Sequence, residues 1–207
     1  MNILHIDSSA LGDFSASRQL TASIVATLTN GAAKTGVVYR DVDAAPLTHV
    51  TMALLQVLRA PAGTPVPSDA ALLSEVALAN TLIDELLAAD TIVLGAPMYN
   101  FSVPSTLKAW LDRVVMAGRT FSYDQNGPKG LAGGRRVIIA STRGGQIAGQ
   151  PHELAIDHQE AFLKALFGLI GIVDVTIIRA EGLARGDEMR SAAMQGALLQ
   201  AAELKAA

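Results

Sequence analysis

The most constraining feature of this chain is an alternation. Short, continuously apolar runs rich in β-branched residues are separated by longer segments whose apolar residues recur with helical period. Runs such as Thr91-Ile92-Val93-Leu94 and Val137-Ile138-Ile139-Ala140 carry no polar face, which is how strands read when helices cover both sides of their sheet. Strands separated by helices imply a parallel sheet with crossover connections. The pattern predicts five strands, at residues 2–7, 37–42, 91–95, 136–141 and 173–180, and helices at about 15–30, 68–88, 104–117, 151–170 and 187–205. It fits an α/β, doubly wound, five-stranded sheet in the order 2-1-3-4-5, with helices on both faces. Half of the 207 residues are hydrophobic, which is ample for one core and short for two, so one domain is expected over residues 1–207. A proline-rich stretch at 61–67 interrupts the second crossover, and a long excursion at 118–134 precedes the fourth strand. Neither is flanked by a shift in composition that would mark a domain edge.

Composition removes several function classes. A formal charge of -3 and a pI near 5.8 leave no electrostatic footprint for nucleic acid, and there is no basic block for an anionic membrane. The chain has no cysteine, which excludes a disulfide framework, a thiolate metal centre and a thiol nucleophile. Any redox chemistry must be carried by a cofactor. No apolar run approaches the roughly 20 residues of a membrane span, and strand-like sequence starts at Asn2 without a basic leader, so the cytoplasm is the expected location.

In a sheet of this type ligands bind beyond the carboxyl ends of the strands, where strand order reverses. The loop after the first strand, Asp7 to Arg18, carries hydroxyls at Ser9, Ser15 and Ser17 around Ala16 and runs into a helix start, an arrangement suited to phosphate. Arg18 would add a cation. The same serines also read as an N-cap and turn residues. No dinucleotide G-x-G-x-x-G follows this strand and no P-loop occurs, so the expected ligand is a mononucleotide. After the third strand come Pro97, Met98, Tyr99, Asn100 and Phe101, held between a buried strand and Pro104 at a helix start. Two aromatics, a thioether and an amide in one turn suit the edge and face of a flat ring system, although the aromatics could instead cap the core. After the fourth strand, Thr142-Arg143-Gly144-Gly145 lets backbone approach a ligand closely. A phosphate cradle, a ring shelf and a glycine wall at adjacent strand ends describe a pocket for flavin mononucleotide (FMN).

Met98-Tyr99-Asn100-Phe101-Ser102-Val103-Pro104, followed by Leu107-Lys108-Ala109-Trp110-Leu111-Asp112, resembles the FMN-dependent NADH-azoreductases, also described as quinone oxidoreductases. The resemblance spans nearly the whole chain. It places Ser9, Ser15 to Ser17, Met98 to Phe101 and Thr142 to Gly145 where that family binds FMN, with Thr142 where serine is usual. Residues 120–131 resemble the family's lid-like excursion. The resemblance implies tightly bound, non-covalent FMN and a homodimer with FMN at the subunit interface. It also implies reduction of quinones and azo compounds with electrons from NADH or NADPH.

The chemistry expected of such a protein is the cofactor's, with the chain supplying position and electrostatics. Donor and acceptor would visit one flavin face in turn, a ping-pong cycle, and no catalytic side chain is assigned. His5 reads as a sheet residue, and His152 and His158 lack metal-ligand spacing with any acidic cluster. A receiver domain would share the fold but needs an aspartate where the third strand ends in Gly95-Ala96-Pro97. A flavodoxin-like electron carrier or non-catalytic FMN-binding protein is the alternative; such carriers are typically far more acidic.

Overall fold

The computed structural model describes residues 1–30, 35–61, 63–65 and 67–205. Residues 62 and 66 of the proline-rich stretch lie outside the described residues. The central sheet is parallel and five-stranded, in the order β2-β1-β3-β6-β7, with β1 at Asn2–Asp7, β2 at Gly36–Asp41, β3 at Thr91–Pro97, β6 at Arg136–Thr142 and β7 at Asp174–Ala180. These are the five strands read from the sequence, in the order expected. Strands β4 (Phe121–Asp124) and β5 (Gly127–Gly130) form a separate antiparallel hairpin within the excursion.

Burial follows from the pleat. All seven residues of β3 are buried, and successive side chains enter opposite halves of the core. Leu4, Ile6, Ile92, Leu94, Val137 and Ile139 pack on one side with α3 (Ala70–Ala88), α4 (Ser105–Val114) and α6 (Glu160–Leu169). Ile3, Val93, Ile138 and Ala140 pack on the other with α1 (Ala16–Thr29) and α7 (Asp187–Ala202). Strands β2 and β7 are the edges, and on β2 Val37, Val38 and Tyr39 stay half exposed.

Two helices depart from expectation. A short α2 (Met52–Leu58) lies in the second crossover, started by Thr51, whose hydroxyl accepts the Leu54 amide at 3.2 Å. The helix expected at 151–170 is split into α5 (Glu153–Ile156) and α6, because Asp157 stops the first and starts the second. Its carboxylate accepts the amides of Gln159 and Glu160 at 3.2 and 3.1 Å.

Candidate functional site

The carboxyl ends of β1, β3 and β6 bring the three predicted loops together. One wing of the resulting groove, about 200 Å³, is bounded by Ser9, Ser15 and Ala16, by Met98 and Tyr99, and by Thr142 to Gly144. A second wing, about 400 Å³, runs past Asn100 and Phe101 to Gly145 and His152. Both wings share Met98, Arg143 and Gly144. The result is one elongated trough from the N-terminus of α1 to the glycine wall.

At the α1 end, Ser15 is the N-cap: its hydroxyl accepts the Arg18 amide at 3.2 Å and lies 3.0 Å from the hydroxyl of Ser17. Ser15 is thus the N-cap that its sequence position allowed, and a hydroxyl that accepts from a helix amide can still donate outward. Among the described residues, the amides of Ala16 and Ser17 have no acceptor within the chain, which leaves them for an anion at a helix N-terminus. Ser17 is fully buried and does not line the trough itself. Arg18 is not where the sequence reading put it. Its guanidinium turns to β2, where it grips Asp41 and donates to the Ser9 carbonyl at 2.9 Å, which pins the serine loop from behind.

The turn after β3 is strained. Asn100 and Phe101 have φ of 48° and 69°, and Tyr99 and Ser102 exchange backbone hydrogen bonds of 2.9 and 3.1 Å, the geometry of a tight two-residue hairpin. That geometry favours Asn-Gly; a phenylalanine in the second place costs about 1–2 kcal/mol. Such strain persists only where surrounding contacts over-determine it, and it clusters at ligand clamps. Three ties fix the turn. Met98 donates to Thr142 O at 2.8 Å, the Phe101 carbonyl accepts from His158 N at 3.1 Å, and the Tyr99 hydroxyl accepts from Ala10 N at 3.1 Å. Phe101 is thereby held half exposed at 51% and does not cap the core. Among the described residues, the Asn100 amide side chain has no partner within the chain.

The glycine wall presents donors. The carbonyls of Arg143, Gly144 and Gly145 accept from Leu183, Ala184 and Gly182 at 2.9–3.1 Å, while among the described residues the amides of Gly144 and Gly145 have no acceptor within the chain. A Cβ on Gly145 would meet nothing within 4 Å, so any side chain there would project into the open trough. Arg143 contributes its backbone alone. Its guanidinium is buried, 1% exposed, among Asp157, Glu160 and Glu181 at 2.7–3.1 Å. Burial works against charge on Asp157, yet the Arg143 guanidinium and two backbone amides hold its carboxyl below the usual carboxylate range. Spacing could not reveal this cluster, because its acids lie 14 to 38 residues beyond Arg143.

The trough fits an elongated ligand with an anion at one end and a flat ring at the other: free amides and hydroxyls at α1, a rigid aromatic shelf, and unpaired amides facing open space. His152 reaches the second wing and His158 lines a larger cavity of about 600 Å³ beyond the turn. Among the described residues no group of three His, Cys, Asp or Glu is placed to hold a metal, and no helix is long and apolar enough to cross a membrane.

Comparison with known proteins agrees with this geometry. Residues 1–204 match the family model described as flavodoxin-like fold. An FMN-dependent NADH:quinone oxidoreductase of Azospirillum brasilense is 52% identical over 199 residues, covering 95% of this chain and 94% of that one. A protein of the same description from Bradyrhizobium sp. (strain BTAi1) is 45% identical over the full length of both. Among solved structures, an azoreductase from Bacillus anthracis str. Sterne superposes with a TM-score of 0.85 at 22% identity, over 99% of this chain and all of that one. An FMN-dependent NADH-azoreductase from Bacillus anthracis str. Ames Ancestor, solved in complex with FMN, gives 0.86 at 21% identity, over 98% and 95%.

Proposed function

Because this chain belongs to the flavodoxin-like fold family, and within it to the FMN-dependent NADH:quinone oxidoreductases, we propose that its three-loop trough binds FMN and serves two-electron reduction of quinones and azo compounds. The single observation that carries this reading is the continuity of the trough, from free amides at the start of α1 to free amides at Gly144 and Gly145. FMN is the cofactor and NADH the donor of this enzyme family. When bound, FMN would supply two-electron hydride chemistry between a nicotinamide and the acceptor.

The chain's own part is to bind and orient. Ser15 and the first amides of α1 would hold the phosphate, with Ser17 orienting the Ser15 hydroxyl from behind and Ser9 supporting the loop from which Ser15 projects. Pro97 to Phe101 would set the plane of the ring, and of Thr142 to Gly145 the Gly144 and Gly145 amides would supply backbone donors to its polar edge, Thr142 and Arg143 being engaged with β3 and β7. Donors aimed where negative charge accumulates stabilise a reduced ring without moving. No side chain is needed as a nucleophile. NADPH is the alternative donor. Donor and acceptor would occupy the same face in succession, and a homodimer would close the trough, a reading supported by Leu11, Phe14 and Phe101 standing exposed at its rim. The match over residues 1–204 supports a single domain, and a cytoplasmic location goes with the donor.

The test is spectroscopic. Purified protein should carry a yellow chromophore that anaerobic NADH bleaches and a quinone restores. A flavin that neither nicotinamide bleaches would leave a carrier, and a protein that takes up no flavin would overturn the site.

A further inference from the structure

The cluster behind the glycine wall is more than a prop for the fold. Arg143 donates to Asp157 at 2.7 Å, Glu181 at 3.1 Å and Gln159 at 3.1 Å, and lies 2.8 Å from Glu160. Glu160 also receives Arg179, at 2.6 Å and 2.9 Å, and the Ser141 hydroxyl at 2.8 Å. Two guanidiniums face three carboxylates, so the cluster carries one net negative charge. It also touches both walls of the trough. Gln159 donates to the Ala96 carbonyl at 2.6 Å, His158 donates to the Phe101 carbonyl at 3.1 Å, and Glu181 accepts the Ala148 amide at 3.2 Å, just beyond the glycine wall. Buried ion clusters are poor sources of stability, since well-packed apolar residues do as well or better. A charged cluster behind a wall that would face a redox ring would have another use: a fixed negative charge opposes the negative charge that reduction adds, over a path through protein rather than water.

We propose that Arg143 is a positioning residue, holding the glycine wall and the aromatic shelf in register, and that the net negative charge around it keeps the bound flavin a stronger reductant. This rests on FMN occupying the trough as proposed above. Neither Arg143 nor its carboxylates need touch the ring.

The experiment measures the midpoint potential and the affinity of FMN in holoprotein variants. Glu181→Gln removes the excess negative charge and should favour the reduced flavin about tenfold, which for a two-electron couple is a rise of about 30 mV. Arg179→Gln adds to the excess and should shift the potential the opposite way. Arg179 is partly exposed and, among the described residues, pairs with the single carboxylate of Glu160, so this variant should fold. Arg143→Lys keeps the charge but loses the fork, and should weaken FMN about tenfold with little change in potential. Glu203→Gln, on the exposed end of the chain, is the control. Potentials in Glu181→Gln and Arg179→Gln that match the control, or that move in the same direction, would overturn the electrostatic role. Unchanged FMN affinity in Arg143→Lys would overturn the positioning role. If the parent protein itself takes up no FMN, the functional assignment fails instead, and the variants are not reached.

Discussion

Two serines and a phenylalanine carry the sharpest expectations at the scale of single residues. Ser15 and Ser17 hydrogen-bond to each other at the start of α1, beside two amides without acceptors. A hydrogen bond to a charged group is worth about 1.5–3 kcal/mol, and Ser17 orients the Ser15 hydroxyl that would make it, so the Ser15→Ala, Ser17→Ala double variant should bind FMN roughly 10- to 10²-fold more weakly. Riboflavin, which lacks the phosphate, should bind the double variant as it binds the parent. Losing the cap at Ser15 will also cost about 1 kcal/mol of stability, so affinities belong well below the melting temperature. Equal loss of riboflavin would place the phosphate elsewhere. Phe101 is the opposite case, a residue that costs stability where it sits. Phe101→Gly relieves a φ of 69° and removes a half-exposed ring, so its melting temperature should be no lower than the parent's while FMN affinity falls. A fall in both would show that the aromatic packs more than it presents. The serine loop and the Met-Tyr-Asn-Phe turn were legible in sequence because each follows an apolar strand directly. The true place of Arg18 and of the Arg143 guanidinium was not, since their partners Asp41, Asp157, Glu160 and Glu181 come from other elements, joined only by the fold.

Among the elements, the strands were legible because two-sided burial leaves continuous apolar runs, and the misses have local causes. The hairpin β4–β5 carries an Asn126-Gly127 turn signal, but Pro128 and Gly130 within its second strand argue against a strand. The break between α5 and α6 had a signal in Asp157 followed three residues on by Glu160, a capping pattern hidden inside an otherwise helical period. Helix α2 is only seven residues long, too short for periodicity to settle. The hairpin docks where Gly130 meets Gly171, so closely that a Cβ on Gly130 would overlap the Gly171 backbone. Gly130→Ala should therefore cost about 1–3 kcal/mol, read as a lower urea midpoint, whereas Gly133→Ala, whose nearest contact is 3.3 Å, should cost less. Equal losses would mean that backbone freedom, not docking, is what both glycines supply. Acid should loosen the β1–β2 edge in the same way. Burial works against charge on Asp7, but hydrogen bonds from Thr21 and Tyr39 and the neighbouring His5 bring its carboxyl below the usual value; at Asp41 the Arg18 guanidinium does the same. Carboxyls lowered by folding add stability above their unfolded value near 3.9, and that stability is lost as pH falls through the folded value. Arg18→Gln should flatten the fall in stability below about pH 4; an unchanged acid limb would place its origin in other carboxylates.

For the whole molecule, the proposed site would hold one ring with one open face, beside a rim of exposed apolar side chains. Phe14 is 84% and Leu11 60% exposed beside the same trough, which suits a second copy of the chain closing over it. Dilution should then release flavin and abolish turnover together, as light scattering and flavin fluorescence recorded on one sample would show; a monomer with full activity would end the shared-site reading. The open face makes a kinetic demand as well. On the proposed reading donor and acceptor share one face of the bound ring, so a nicotinamide would have to leave before a quinone or azo acceptor could stack. Initial rates at several fixed acceptor concentrations should give parallel double-reciprocal lines. In addition, high concentrations of either substrate should inhibit competitively with the other, because both need the same surface. Intersecting lines would require donor and acceptor to sit on the protein together, and the cavity beyond the turn, with Lys108 and His158 on its walls, would then be the place to look for the second of them.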